Sequence, residues 1–273
     1  MNDELLVLKL DESHGNVIKK REFAHYSALK MIDLPKNIEV IEDYAFYRCL
    51  ALEEIYLYAG LKRLGCGAFM GCKKLKKIVV RDVEEDIYFL TEILYDFQYE
   101  VEVELYYKDG RLAKLTFPEY YEESVENTPA RIIEIVFHGS GYKYRQCIRN
   151  RQMDYEKYDS LFSYAIAQEF TPTCIKIALN RLCTPINLKE AARKRYLEYL
   201  REHSKEVAKQ ICREDNLEGL NILLEEEYFT EELLKDFQEK ASAMGRAEMA
   251  GYLFNYRMEH FRPKKKTFDF DEL

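Results

Sequence analysis

The sequence predicts an α/β solenoid of short parallel strands joined to an α-helical repeat domain. Three observations carry that expectation. Residues 17–85 are three copies of one 23-residue unit, with Phe23, Phe46 and Phe69 in one slot and Ile32, Ile55 and Ile78 in another. Each copy carries L-x-x-I-x-L or its like, whose last two apolar residues are two apart, the spacing of one face of a strand. From Asp154 onward, apolar residues recur at helical spacing between short, punctuated connections. A fixed period in this range means that each unit buries its apolar side only against its neighbours.

The repeat slots extend further. Ile18, Ile41 and Leu64 are equivalent, as are Leu29, Leu52 and Leu75; Cys49 and Cys72 share a slot that Tyr26 fills in the first copy. Leu5–Leu10 alternates and reads as an N-terminal capping strand. The pattern AF-x-x-C-x-x-L-x-x-I, in Ala45–Ile55 and again in Ala68–Ile78, resembles the BspA-type leucine-rich repeat. The first copy departs from it, with Glu22 for Ala and Tyr26 for Cys, as an end repeat would. The resemblance covers roughly residues 5–85 and implies a leucine-rich-repeat solenoid with one short strand per repeat. Ile32/Leu34, Ile55/Leu57 and Ile78/Val80 then point inward. Met31, Asp33, Pro35, Glu54, Tyr56, Tyr58, Lys77, Val79 and Arg81 form an outward grid. That face reads either as a binding surface or as a merely solvated one. The candidate partner-binding residues are Asp33, Glu54, Tyr56, Tyr58, Lys77 and Arg81, because exposed tyrosine and arginine dominate interface energetics.

After the repeats, Asp86–Phe97 places Leu90, Ile93, Leu94 and Phe97 at helical spacing, a helix to close the open end. Val101–Pro118 reads as a hairpin turning at Lys108-Asp109-Gly110. If it folded back over the sheet, it would cover the two tyrosines. Tyr120–Glu126 reads as an acidic, aromatic loop. Thr128-Pro129 is a helix start and Gly139 its stop, though the β-branched Ile132, Ile133, Ile135 and Val136 leave a strand as the alternative. Tyr155–Gln168 is expected as one helix. Thr171-Pro172 opens the next, and Pro185 ends it. Capping boxes stand at Asn187-x-x-Glu190 and Asp215-x-x-Glu218. Ser204, Thr230 and Ala247 open further helices, with Gly245 as a breaker. The pairs 205–226 and 231–260 repeat at about 30 residues, which resembles ankyrin repeats in length and pairing but lacks their T-P-L-H signature. The expected division is 1–98 for the solenoid with its caps and 99–150 for a mixed connecting segment. Residues 151–262 form an α-helical hairpin repeat domain, and 263–273 a flexible tail.

Composition narrows the function. At 273 residues the chain has room for two domains, and its formal net charge of −8 disfavours nucleic acid and acidic membranes as partners. No window approaches a membrane span, and MNDELLVLKLDE lacks the basic start and apolar core of a signal peptide. The closing Asp271-Glu272-Leu273 mimics part of a retrieval signal by chance. Seven cysteines without regular pairing then read as reduced thiols in the cytoplasm. There is no C-x-x-C, the five histidines are scattered, and no nucleophile–base set is visible, so neither a metal, a cofactor nor catalysis is expected.

One stretch could bind an anion. Gly139, Ser140 and Gly141 would open backbone N–H groups to a phosphate, with charge from Lys143 and Arg145. The competing reading is a glycine turn, since neither the dinucleotide fingerprint nor the phosphate loop is present. The tail, with three lysines followed by alternating aromatics and acids, reads as a docking peptide or a frayed end. The function expected is a non-enzymatic scaffold or adaptor for protein partners; the alternative is a nucleotide- or anion-responsive regulator. The whole chain is also similar to uncharacterised intracellular leucine-rich-repeat proteins of anaerobic bacteria. That resemblance implies a MoxR-type ATPase or a von Willebrand factor A-like protein as partner.

Overall fold

The computed structural model of the chain describes residues 6–84, 86–127 and 132–261. The Thr128-Pro129 helix start and the tail at 263–273 lie outside the described residues. Contacts divide the chain into two compact units, 1–194 and 195–273.

The first unit begins with β1 (Val7–Lys9), after which each repeat contributes two strands. They are β2 (Val17–Ile18) and β3 (Met31–Asp33), then β4 (Val40–Ile41) and β5 (Glu54–Tyr58), then β6 (Arg63–Leu64) and β7 (Lys77–Val83). β1, β3, β5 and β7 run parallel in one sheet and β2, β4 and β6 in another. The expectation of one strand per repeat is thus corrected to two. The additional strand, first in each repeat, is only two residues long, too short for any alternation to show. The register follows the period: Ile32 pairs with Ile55 and Ile55 with Ile78, and Ile18 with Ile41 and Ile41 with Leu64.

Between the sheets the repeat slots become stacked ladders. Phe23, Phe46 and Phe69 stack at 5.4 and 5.2 Å with interplanar angles of 8° and 7°. Cys49 and Cys72 are buried, and each thiol donates to the carbonyl of the preceding rung's phenylalanine, at 3.2 and 3.3 Å. Each rung turns through left-handed backbone at the slot of Arg21, Tyr44 and Gly67, and again at that of His25, Arg48 and Gly71. Only the third copy places glycine where a left-handed φ favours it.

A helix closes the last rung. α1 (Tyr88–Tyr95) buries Phe89, Leu90, Ile93 and Leu94 and lies beside β6. Phe23 and Phe46 donate their backbone N–H to Ala45 and Ala68 of the next rung. Phe69 has no next rung; its N–H donates to the Asp96 carboxylate at 3.1 Å instead. β8 (Val101–Tyr107) then pairs parallel with β7, and β9 (Leu112–Phe117) returns antiparallel beside it. The hairpin therefore prolongs the sheet to six strands rather than folding over it.

β10 (Tyr121–Asn127) and β11 (Ile132–His138) form a separate antiparallel ribbon. This corrects the loop expected at 120–126 and the helix expected up to Gly139. The β-branched run decides for strand, and Gly139 marks its exit with φ +82. α2 (Gly141–Arg145) and a small hairpin of β12 (Ile148–Arg149) and β13 (Gln152–Met153) follow. The single helix expected at 155–168 is two, α3 (Tyr155–Ser160) and α4 (Phe162–Gln168), interrupted at Leu161.

α5 (Thr171–Cys183) packs along β9, so α3, α4 and α5, grouped by sequence with the helical domain from 151, lie in the first unit. Two buried polar contacts hold this layer. The Tyr158 hydroxyl accepts from the Thr116 N–H at 3.0 Å and donates to its carbonyl at 2.7 Å. Arg181 pairs bidentately with Asp159 at 2.7 and 2.9 Å and donates further to the Thr184 and Ile186 carbonyls. α6 (Glu190–Glu202) runs across the division between the units.

The second unit holds two helix pairs, α7 (Ser204–Glu214) with α8 (Leu217–Glu225), and α9 (Glu231–Ala243) with α10 (Ala247–His260). α7 packs on α9 and α8 on α10, so the pairs stack in register. Arg246, in the second connector, donates to the Cys212 and Arg213 carbonyls at the end of α7 and pairs with Asp215 in the first. The cap of α8 is Asn216, whose side chain accepts from the Gly219 N–H, not the expected Asp215. Asp215 instead takes the left-handed cap that ends α7.

Candidate functional site

The outward face of the six-stranded sheet assembles the predicted grid. Strand pairing sets Asp33 beside Tyr56 and Tyr56 beside Val79, Glu54 beside Lys77, and Tyr58 beside Arg81. β8 adds a column absent from the sequence reading: Glu104 beside Val79, with Tyr106 two residues on. The signal for that column was the alternation of VEVELYY, which fixed a strand but not that the strand joined this sheet. Together Tyr56, Tyr58, Lys77, Arg81, Glu104 and Tyr106 line a cleft of 430 Å³.

The charges of this face are bonded to one another. Arg81 reaches across β5 to Asp33 at 2.9 Å, and on the way its guanidinium lies 5.1 Å from the Tyr56 ring and 5.5 Å from the Tyr58 ring. Lys77 pairs with Glu104 at 2.9 Å, and Tyr106 donates to the same carboxylate at 3.1 Å. Tyr56 donates to Glu54 at 2.6 Å; that hydrogen bond, with burial, pushes the phenol up to about 12. Tyr56 is therefore a neutral hydrogen-bond donor at physiological pH. The face is an aromatic–guanidinium layer, half-buried and close to neutral, and suits contact more than chemistry. Among the described residues no group of three His, Cys, Asp or Glu side chains could hold a metal ion.

The Gly139–Arg145 stretch uses most of its donors internally, although the buried Ser140 hydroxyl has no hydrogen-bond partner among the described residues. Arg145 is fully buried, and all five of its N–H groups meet backbone carbonyls: Leu94, Pro118, Gly141, Phe97 and Tyr99. Its guanidinium lies 4.8 Å from the Tyr120 ring, and burial pulls its pKa down to about 10. The Ser140 N–H donates to the Glu169 carboxylate, and Lys143 sits 3.6 Å over the Tyr164 ring. A Cβ on Gly141 would lie 2.1 Å from the Pro118 carbonyl oxygen, so that glycine serves close packing. The residues proposed for an anion instead bind α1, the chain before β10 and α4's end together. The arginine proposed as its ligand is a buried tie between backbone segments.

Residues 8–93 match the family model of the BspA type leucine rich repeat region, in six copies. The match spans β1 to β7 and most of α1, and contains the three 23-residue units. No curated protein and no solved structure matches the chain. BspA-type repeats, like leucine-rich repeats generally, are scaffolds for protein–protein interaction. No described helix is long and apolar enough to cross a membrane.

Proposed function

We propose that the chain is a non-enzymatic scaffold or adaptor that binds a protein partner through the outer face of the six-stranded sheet. One observation carries the reading: the layer of Arg81 over Tyr56 and Tyr58, with the neighbouring charges already paired. Covering a charge that faces water costs its hydration, whereas pairs bonded within the sheet have given up part of that hydration already. Aromatic and arginine side chains, once covered, supply most of the energy of an interface. The BspA-type repeats then form a solenoid that displays this face. The stacked helix pairs, repeating at ankyrin-like length, offer a second surface. Seven cysteines, five of them buried, suit a reducing cytoplasm.

Affinity purification with mass spectrometry from the native host identifies the partner, with a MoxR-type ATPase and a von Willebrand factor A-like protein as the first candidates. Calorimetry then compares wild type with the Tyr56→Ala/Tyr58→Ala double variant. The expected loss is about 2 kcal/mol or more of binding free energy, at nearly unchanged folding stability. Unchanged affinity would move the contact away from the sheet.

A further inference from the structure

The ribbon of β10 and β11 is a sheet of its own, and among the described residues no third strand lies on either edge. Its root is anchored by Phe137, which stacks on Tyr142 at 3.6 Å and 10°; within the ribbon, Tyr121 stacks on His138 at 4.4 Å. Beyond the root, β11 carries its apolar side chains into solvent, with Ile133 69% and Ile135 57% exposed. A two-stranded ribbon is marginally stable in water, and an open apolar edge is a template for another strand.

The two edges are not alike. β10 reads Tyr-Glu-Glu-Ser-Val-Glu-Asn, and charge on an edge strand is a common means of blunting it. β11 reads Ile-Ile-Glu-Ile-Val-Phe-His, with one acid, no proline and unbroken pairing to β10. We propose that β11 pairs antiparallel with β11 of a second copy of the chain, centred on Ile135, so that two ribbons join into one four-stranded sheet.

Symmetry and charge select that register. A two-fold axis normal to the sheet pairs a strand with itself about one residue. Centring on Ile135 engages all seven residues of β11, with Ile133 opposite Phe137 and Glu134 opposite Val136. Moving the centre to Glu134 would set two carboxylates directly opposite, and parallel pairing in register would do the same. In the chosen arrangement the two acidic β10 strands become the outer edges, three strand spacings apart, roughly 14 Å. That exceeds the Debye length of about 8 Å at physiological salt. Joining through β10 would bring the same glutamates to one spacing. An edge contact of this size falls below the roughly 1,200 Å² of a stable interface, so the dimer is weak and concentration-dependent.

Sedimentation equilibrium on the full chain, in reductant because Cys66 is exposed, tests this from about 5 to about 500 μM. The average mass should climb from one chain toward two. Ile135→Lys sets two ammonium groups at the centre of the pair and should weaken association at least tenfold. Val125→Lys, on β10, should leave it as in wild type. Both positions are exposed, and thermal unfolding verifies that the variants keep the fold. Backbone amides of 132–138 should gain hydrogen-exchange protection as concentration rises. A wild-type chain that stays monomeric throughout, or association that survives Ile135→Lys, overturns the proposal. So does association lost with Val125→Lys alone, which would place the contact on the acidic edge.

Discussion

Asp96→Asn should stabilise the protein at neutral pH and remove much of its pH dependence in mild acid. The Asp96 carboxylate replaces a missing rung by accepting the Phe69 N–H, but it does so partly buried. Burial is the larger effect and pushes its pKa from 3.8 to about 6. A raised carboxyl pKa means that the folded state holds its proton more tightly than the unfolded chain. Stability is therefore greatest below about pH 4 as far as this group is concerned, and falls as pH rises toward 6. Roughly two pKa units at ~1.4 kcal/mol each give nearly 3 kcal/mol, and partial solvent access brings this to about 2 kcal/mol. Asparagine keeps the amide acceptor for Phe69 and carries no charge. The variant should match wild type near pH 4 and exceed it by about 2 kcal/mol at pH 7.5. Urea denaturation across that range measures the difference directly. A constant offset between the two proteins, or a less stable asparagine variant at pH 7.5, would refute the assignment of burial as the dominant effect.

Four further substitutions test the packing. Phe46→Ala removes the middle ring of the ladder, fully buried between Phe23 and Phe69, and should cost about 3–5 kcal/mol in denaturant unfolding. Gly65→Ala would place a Cβ 2.2 Å from the Asp43 nitrogen and 2.4 Å from the Glu42 carbonyl carbon, forcing two rungs apart; about 3 kcal/mol should be lost. At Gly110, where an added Cβ meets nothing, alanine should cost only about 1 kcal/mol, from its positive φ. Arg145→Lys offers three donors where five are used, leaving buried carbonyls unpaired, and should lower the thermal midpoint by the equivalent of about 3 kcal/mol.

The repeat was legible because a 23-residue period fixes both register and orientation: once Ile32, Ile55 and Ile78 share a slot, their outward neighbours Tyr56 and Arg81 are placed as well. What the period cannot show is where the sheet stops. β8 joins it through a crossover, so Glu104 and Tyr106 entered the candidate face unseen. The ribbon was obscured by its punctuation, since Thr128-Pro129 and Gly139 frame a helix as readily as a hairpin does. Arg145 was misplaced for a different reason. A cation beside glycines reads alike whether it faces water or carbonyls, and its five acceptors come from residues 94, 97, 99, 118 and 141. No local pattern encodes that meeting.

The side chain that ends the ladder also limits how this protein can lengthen. A fourth unit appended after the third would find the Phe69 N–H already taken by Asp96 and α1 in its path. A unit duplicated between residues 39 and 40 would meet a complete rung on each side, with phenylalanine and strand slots in matching order. The array can thus gain rungs from within but not at this end, and any added breadth of binding face would arise among its middle strands.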